Sequence, residues 1–365
     1  MVKPLIRALF FLLLGILVST NSLQANDWAD KLYLNGFYTL DYTYTEVEAG
    51  LISNNESERN YTNSSNRFEN SLVGFQLGYE IVEDLTGFSQ ATLSYDSQDD
   101  PQAKFSWAYL SYDLGADQKV RIGKFQVPYL QGTELRNIGL SRLWARPLIP
   151  ERGANGFNEF YGAEYIKLSP VNEGILDFQL SAGNVITGSG LIDSDAFGSF
   201  ALKYGENSYW VRGAFLYANY KIKNTGNIND ELDLSDSFYM AGLETEINHQ
   251  RFLINAGYAI GRSDLLPVDA LYYISIGRIV GAFTPYIYAG KRNLHLLGTS
   301  SSGLDSLFEF RYHLHTTAVG LRYAISEKMG MKFEIENTEP SNVDTEGNLP
   351  DTKGNTFSIL LEGVF

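Results

Sequence analysis

Segments in which apolar and polar residues alternate recur from Leu32 to Phe365, and their spacing is the most restrictive feature of the sequence. A period of two residues is the period of a β-strand. Sixteen segments can be read, at 32–45, 67–81, 87–97, 103–114, 118–126, 159–168, 174–186, 196–204, 207–220, 235–248, 250–261, 268–280, 282–291, 309–325, 329–339 and 355–365. The gaps between them alternate between long and short. The longest gap is 127–158, another long one is 292–308, and several short ones span three residues or fewer.

Long loops at one end and short turns at the other are typical of barrels that cross a membrane with antiparallel strands. Strands of about 9–11 tilted residues cross the hydrocarbon layer, and a closed barrel leaves no unpaired edge in lipid. A soluble sandwich or propeller gives no reason for such regular alternation. The sequence therefore predicts an all-β fold, a sixteen-stranded antiparallel transmembrane β-barrel with both termini at the short-turn end.

The C-terminal segment ends the chain on an aromatic residue. Its apolar face carries Phe357, Ile359, Leu361 and Phe365, and its other face includes Glu362. This arrangement resembles the C-terminal assembly signal of Gram-negative outer-membrane β-barrels, which implies recognition by the barrel-assembly machinery. We expect this strand to close the barrel by pairing with residues 32–45.

The N-terminus has the pattern of a signal peptide. Lys3 and Arg7 precede the ten-residue apolar run Leu9–Val18, and a plausible cleavage site ends at Ala25. The apolar run is too short to span a bilayer, and no later stretch is long enough. We therefore expect 1–25 to be removed and 26–365 to be exported through the periplasm to the Gram-negative outer membrane.

Composition excludes several classes of function. The chain has no cysteine, which removes disulfides, thiol catalysis and thiolate metal sites. Without Lys3 and Arg7, 26 basic residues stand against 43 acidic ones, a net charge of −17 that would repel nucleic acid. No phosphate-binding or dinucleotide motif appears, so neither a cofactor nor a nucleic-acid partner is expected.

The gap 127–158 is too apolar for a disordered loop. Loops of more than about 15 residues need a function or are disordered. This one contains eight large apolar residues that need burial, Leu130, Leu135, Ile138, Leu140, Leu143, Trp144, Leu148 and Ile149. A third loop folded into the barrel would bury them and would narrow the lumen.

The chain resembles the sixteen-stranded Gram-negative porins over its whole mature length. The resemblance is most specific at Tyr109–Gly115, at Val120–Lys124 and in the loop, whose Trp144–Pro147 run is similar to that of porins from marine and related proteobacteria. It implies a homotrimer in outer-membrane lipid and lipopolysaccharide that lets ions and small hydrophilic solutes diffuse passively. Two features differ from the general porins of enteric bacteria. The Pro-Glu-Phe-Gly-Gly element is absent from the loop, and the second gap, 98–102, is too short to favour the inter-subunit latch that this loop forms in enteric trimers.

Charged residues in the loop and on the wall are the candidate site residues. The loop candidates for the pore constriction are Glu134, Arg136, Arg142, Arg146, Glu151 and Arg152, a net charge of +2. The wall candidates on the lumen face are Arg121, Arg212, Glu244, Glu246, Lys332, Glu334, Glu336 and Glu362. Charged rings at a constriction set ion preference, whereas charge-assisted hydrogen bonds would only pin the loop to the wall. Both interpretations stay open, and the first predicts mild tolerance of anions.

Few residues point to a function other than a passive channel. His313 and His315 share a strand face, but it is the lipid-side face, so interfacial packing is favoured over a metal site. A hydrolase in the barrel wall would need a serine beside a histidine, and no Gly-x-Ser-x-Gly occurs. No enzyme activity is therefore expected, although an outer-membrane enzyme or adhesin remains an alternative. A channel selective for sugars, oligosaccharides or anions would need aromatic residues along the lumen, for which Trp107 and Tyr109 are candidates.

Overall fold

The structure is a computed structural model of the chain. It describes residues 30–47, 71–95, 101–130, 135, 137–145, 159–185, 192–222, 234–263, 269–299, 307–343 and 354–365. The expected signal peptide, 1–25, lies outside these residues. Sixteen strands are formed: β1 (Leu32–Val47), β2 (Leu72–Val82), β3 (Leu85–Tyr95), β4 (Pro101–Gly115), β5 (Gln118–Gln126), β6 (Glu159–Val171), β7 (Gly174–Val185), β8 (Ile192–Gly205), β9 (Tyr209–Ile222), β10 (Leu234–His249), β11 (Phe252–Arg262), β12 (Asp269–Arg278), β13 (Phe283–Thr299), β14 (Leu307–Ser326), β15 (Met329–Val343) and β16 (Gly354–Val364).

The strands form one closed antiparallel barrel in which each strand pairs with its neighbours in sequence. The last strand pairs with the first, in a register that runs from Phe37 opposite Val364 to Val47 opposite Gly354. The predicted fold class and the predicted closure of the barrel by the C-terminal segment are therefore confirmed. A short 3₁₀ turn, Gly139–Ser141, lies in the segment between β5 and β6.

Short and long connections alternate as predicted. The connections after even-numbered strands contain two to four residues, and several use backbone conformations with positive φ. Gln250 and Arg251 have φ values of 49° and 71°, the left-handed pair that a tight two-residue hairpin requires. The opposite end of the barrel carries the longer connections, including the one between β5 and β6.

Strand boundaries differ from prediction mainly at one hairpin. Much of the predicted gap 292–308 is strand, because β13 continues to Thr299 and β14 begins at Leu307. The pairing runs unbroken from Arg292 opposite Leu314 to Thr299 opposite Leu307. The paired extension of β13 and β14 goes beyond the length needed to cross a bilayer. It has no lipid-facing side, so alternating apolar and polar residues do not mark it as strand in the sequence.

The outer face of the barrel is apolar and the inner face is polar. On β15, Phe333 and Ile335 are 40% and 54% exposed, whereas the alternating residues Lys332, Glu334 and Glu336 are buried. Successive residues of a strand point to opposite faces of a sheet. A soluble domain would show the reverse distribution, so this pattern is that of a barrel surrounded by lipid.

Phe365 completes the seam between β1 and β16. Its main chain exchanges two hydrogen bonds of 2.9 Å with Gly36. Its ring covers Gly36, where an added Cβ would collide with it, and lies edge-on to Phe75 at a centroid distance of 6.2 Å. The aromatic side chain therefore fills the space that a glycine leaves open on a strand.

Among the described residues, no helix has the length and apolar character needed to cross a bilayer.

Candidate functional site

All eight predicted wall residues lie on the inner face, opposite the exposed apolar residues of their strands. The two half-buried members are Arg121 and Glu246. The six buried members are Arg212, Glu244, Lys332, Glu334, Glu336 and Glu362. Several of the six contact the segment that follows β5, and these contacts define the candidate site.

Lys332 joins the barrel wall to two points of this segment. Its Nζ lies 2.7 Å from Oε2 of Glu362, and both side chains are 1% exposed. The same ammonium group donates hydrogen bonds to the carbonyl oxygens of Gly139 at 2.8 Å and Trp144 at 3.0 Å. The turn at Gly139 also lies so close to Glu362 that an added Cβ would collide with the carboxylate. One buried lysine thus holds the first residue of the 3₁₀ turn, and Trp144 three residues beyond its end, against β15 and β16.

Glu334, two residues further along β15 and on the same inner face, provides a second attachment. Its Oε2 accepts a hydrogen bond of 3.0 Å from the backbone N–H of Ala145 and one of 2.8 Å from the hydroxyl of Tyr286. The ring of Tyr286 lies over Gly320 of β14. The carboxylate is therefore oriented by β13 and accepts a main-chain donor from the loop.

Apolar contacts hold the same part of the loop against β12 and β13. Leu143 and Trp144 are buried in a cluster with wall tyrosines. The indole lies 6.0 Å from the ring of Tyr273 and 6.1 Å from that of Tyr288, measured between centroids. Leu143 occupies the space beside Gly277, since a Cβ there would be 2.6 Å from its Cδ2. Both polar and apolar groups therefore fix residues 143–145.

Arg212 contacts the beginning of the loop from β9. Its Nη2 donates a 2.7 Å hydrogen bond to the carbonyl oxygen of Pro128, and its Nη1 lies 4.0 Å from Oε2 of Glu244. The hydroxyl of Tyr273 donates to Oε1 of Glu244 at 2.8 Å. Arginine, carboxylate and tyrosine thus form one buried network with charge-assisted bonds.

An apolar core fills the inner face beside the start of the loop. Phe160 stacks on Phe125 at 5.2 Å and contacts Phe197 at 4.6 Å, between ring centroids. The loop contributes Val127, Tyr129 and Leu130 to this core. The wall contributes Phe125, Phe160, Val185, Phe197, Leu216, Ala218, Tyr220, Phe238, Met240, Ala259 and Leu271. Residues 127–130 are therefore packed into the barrel interior.

A weaker contact joins the loop to β3 and β4. The side-chain amide of Asn137 donates to Oε1 of Gln90 at 3.4 Å and to Oγ of Ser106 at 3.3 Å. Hydrogen bonds of this length are longer than the usual range. The described loop residues thus contact lumen-facing side chains of β3, β4, β9, β12, β13, β15 and β16.

Most predicted loop charges fall outside the described residues: Glu134, Arg136, Arg146, Glu151 and Arg152. Arg142 is described, and it is half-buried at the end of the 3₁₀ turn, where its backbone N–H donates to the carbonyl of Gly139. That these six residues form a constriction remains a prediction.

Sequence reasoning missed the uncharged part of the site. Asn137, Gln90 and the tyrosines Tyr273 and Tyr286 were not singled out, although each bonds or packs at the contact between loop and wall. Large aromatic residues on the inner parity of β5 and β6, next to the longest gap, were the available signal. Large aromatic side chains are not expected on a water-facing wall unless another segment, here the loop, covers them.

No metal site emerges from the described residues. Groups of three or more histidine, cysteine, aspartate or glutamate side chains that could hold a metal do not occur among them. His315 is exposed on the outer face with Val319, and the side chain of His313 lies outside the described residues.

No protein-family model matches the sequence, and no curated protein sequence matches it. Solved outer-membrane proteins share the fold. The structure is similar to an anion-selective porin from Comamonas acidovorans, with a TM-score of 0.59 and 10% identity over 92% of this chain and 99% of the other. It is also similar to the outer-membrane channel DcaP of Acinetobacter baumannii, with a TM-score of 0.59 and 12% identity over 94% and 100%.

A third similar structure is the trimer form of OmpT, an outer membrane protein of Vibrio cholerae. The TM-score is 0.55 and the identity 9%, over 92% of this chain and 100% of the other. At these identities the likeness establishes the barrel fold, and a shared fold does not by itself fix a function.

Proposed function

We propose that the protein is an outer-membrane porin, a water-filled channel through which ions and small hydrophilic solutes diffuse passively. The observation that carries the proposal is the closed barrel with an apolar outer face and ionisable residues such as Glu336 and Arg121 inside. An apolar band outside and a polar lumen inside are the features of channel-forming barrels. Diffusion makes or breaks no bond, so we propose that no residue is catalytic.

The segment 127–158 is proposed to narrow this channel. Its support is the set of contacts made by residues 127–130 and 137–145 with inward-facing side chains on several sides of the barrel. Pro128 is bound by Arg212, Asn137 by Gln90, and Gly139 by Lys332. We propose that a segment held at these places crosses the space that a solute would have to pass. For Arg212, Lys332 and Glu334, the hydrogen bonds to main-chain atoms of the loop favour a pinning role over direct contact with solutes.

Charge in the narrowed region is proposed to produce mild tolerance of anions. The loop carries a net charge of +2, whereas the rest of the mature chain carries −19. Positive side chains at a constriction lower the barrier for anions and raise it for cations. Arg142 is the one loop arginine in the described part of the chain, and it lies beside the turn that Lys332 binds.

We also propose where the channel resides and which partners it has. We place it in outer-membrane lipid and lipopolysaccharide after export through the periplasm, inserted by the barrel-assembly machinery through Phe357, Ile359, Leu361 and Phe365. The exposed outward positions of Phe357 and Ile359 are consistent with that role. A homotrimer is supported by the trimer form of the similar Vibrio cholerae protein.

Conductance across a planar lipid bilayer tests the proposal. The purified, folded protein should insert in steps of constant size and remain open in potassium chloride. A folded barrel, identified by its faster gel migration before heating, that produces no stable pore would contradict it. That result would favour the outer-membrane enzyme or adhesin instead, because neither requires an open lumen.

A further inference from the structure

Three aromatic side chains form a continuous, partly exposed surface on the inner wall at β3 and β4. Phe88 lies opposite Tyr109 in the strand register, and their ring centroids are 5.5 Å apart. Trp107 contacts Tyr109 at 5.4 Å. The next residue of β4, Leu110, points the other way and is 48% exposed on the outer face. We call Phe88, Trp107 and Tyr109 the aromatic platform.

The platform is more exposed than the inward aromatic residues that pack beside the loop. Phe125 and Phe160 are buried in the core beside the loop, and Tyr286 is buried in the cluster that contains Trp144. All three platform residues are only half-buried. Aromatic surface in contact with water costs free energy unless a ligand covers it, because burial of apolar area is favourable by about 25 cal/mol per Å².

Polar side chains lie on both sides of the platform. They belong to two rows, each made of residues that face one another across paired strands. Arg121 stacks on Tyr109, with Cζ 5.1 Å from the ring centroid, and its Nη1 lies 3.6 Å from Oε2 of Glu164. Asn137 of the loop reaches the same region through Gln90. The bordering residues are Gln76 and Gln90 in the row of Trp107, and Thr86, Ser111 and Arg121 in the adjacent row.

We infer that the aromatic platform, with its border of amide, hydroxyl and guanidinium groups, is a binding site for neutral carbohydrates passing through the lumen. The inference rests on the proposed channel function. Aromatic faces bind the apolar face of a sugar ring, and a few placed polar groups around such a surface fix the orientation of a ligand. The hydroxyl groups at the ring edge would reach the glutamine amides and Arg121.

Charge decides between a neutral sugar and an organic anion as the ligand. Glu164 faces Arg121 and also accepts hydrogen bonds from Gln179 at 3.0 Å and from Ser181 at 3.2 Å, which hold the carboxylate in place. The fixed carboxylate compensates the positive charge of Arg121. The site is therefore close to neutral, and an anionic ligand would gain little from it.

Current measurements in planar bilayers with maltose and maltotriose as probes test the inference. Each sugar should reduce the open-channel current in a saturable manner, with tighter binding for the longer one. Tyr109→Ala should weaken binding about tenfold, the equivalent of one aromatic contact. Tyr109→Phe keeps the ring and should bind like the parent protein. Tyr112→Ala, on the outer face of the same strand, is the matched control and should change nothing.

A second measurement separates failure of the site from failure of the channel. Maltotriose added to the detergent-solubilised barrel should change the tryptophan fluorescence of the parent protein, and Trp107→Phe should abolish that change. A conducting pore with neither current block nor fluorescence change overturns the carbohydrate site and leaves the channel intact. A barrel that binds maltotriose without conducting supports the site and overturns the channel.

Discussion

Lys332 and Glu362 form a buried ion pair, with 2.7 Å between Nζ and Oε2, directly against the turn that begins at Gly139. The pair bridges β15 and β16, the strands that complete the barrel. Because Lys332 also donates to the carbonyls of Gly139 and Trp144, the same group stabilises the wall and positions the loop. Removal of either charge should therefore affect both stability and conductance.

Lys332→Met should destabilise the barrel and widen the channel. The substitution leaves the carboxylate of Glu362 buried without its cation, which typically costs about 3–5 kcal/mol. It also removes the two hydrogen bonds that hold the carbonyl groups of Gly139 and Trp144 to the wall, so single-channel conductance should rise. The temperature at which the barrel loses its fast gel migration, and the conductance in planar bilayers, are the measurements.

A matched control and a double variant identify the cause. Lys328→Met changes an exposed lysine of the adjacent turn and should alter neither quantity. Lys332→Met combined with Glu362→Leu removes both buried charges, so much of the stability should return while conductance stays high. A single variant with parental conductance would show that the loop does not depend on Lys332.

Gly139→Ala should displace the 3₁₀ turn. An added Cβ would overlap the carboxylate of Glu362 and lie 3.0 Å from Oγ1 of Thr39. Overpacking of this kind costs about 1–3 kcal/mol. Gly213→Ala is the control, since no heavy atom lies within 4 Å of the added carbon at that position. We expect noisier or larger single-channel currents from the first variant only, and equal currents from both would argue against a fixed turn.

Phe365→Ala should lower the yield of folded barrel. The ring covers Gly36 and contacts Phe75, so its loss exposes the seam between the first and last strands. Phe357→Ala removes an exposed aromatic residue from the same strand and serves as the control for apolar area. The fraction of heat-modifiable protein after refolding in detergent is the measurement. Equal yields from the two variants would remove any special role for the terminal ring.

Periodicity predicted the parts of this fold that the membrane itself imposes. The pairing of 355–365 with 32–45, and the inward positions of Lys332 and Glu334, follow from an apolar outside and a polar inside. The extension of β13 to Thr299 was not predictable in this way, because paired strands beyond the bilayer keep their hydrogen bonds without the lipid pattern.

Which wall residues bind which atoms of the loop could not be predicted from the sequence either. Lys332 binds two carbonyl oxygens, and every residue has one, so no residue type marks Gly139 or Trp144 as acceptors. The sequence alone left pinning and solute contact equally open for Lys332, and only its hydrogen bonds to the loop favour pinning. The aromatic core at Phe125 and Phe160 depends on three-dimensional proximity to Leu130, which the spacing of residues along the chain does not encode.

Arg142→Gln should shift the channel toward cations. Arg142 is half-buried beside the turn at Gly139, in a loop whose net charge is +2 within a chain that is otherwise strongly acidic. Loss of one positive charge at a constriction raises the barrier for anions relative to cations. The reversal potential under a potassium chloride gradient should therefore move toward the potassium equilibrium potential.

The control for this shift is Arg278→Gln, on the outer face, where Arg278 stacks on Phe252 at 5.3 Å and should not influence the lumen. Combining Arg142→Gln with Arg146→Gln should enlarge the shift. A parent channel that is already strongly selective for cations, and stays so after both changes, would contradict a role for the loop arginines in selectivity. Because screening shortens the reach of exposed charges to about 10 Å at 0.1 M salt, the shift should be largest at low ionic strength.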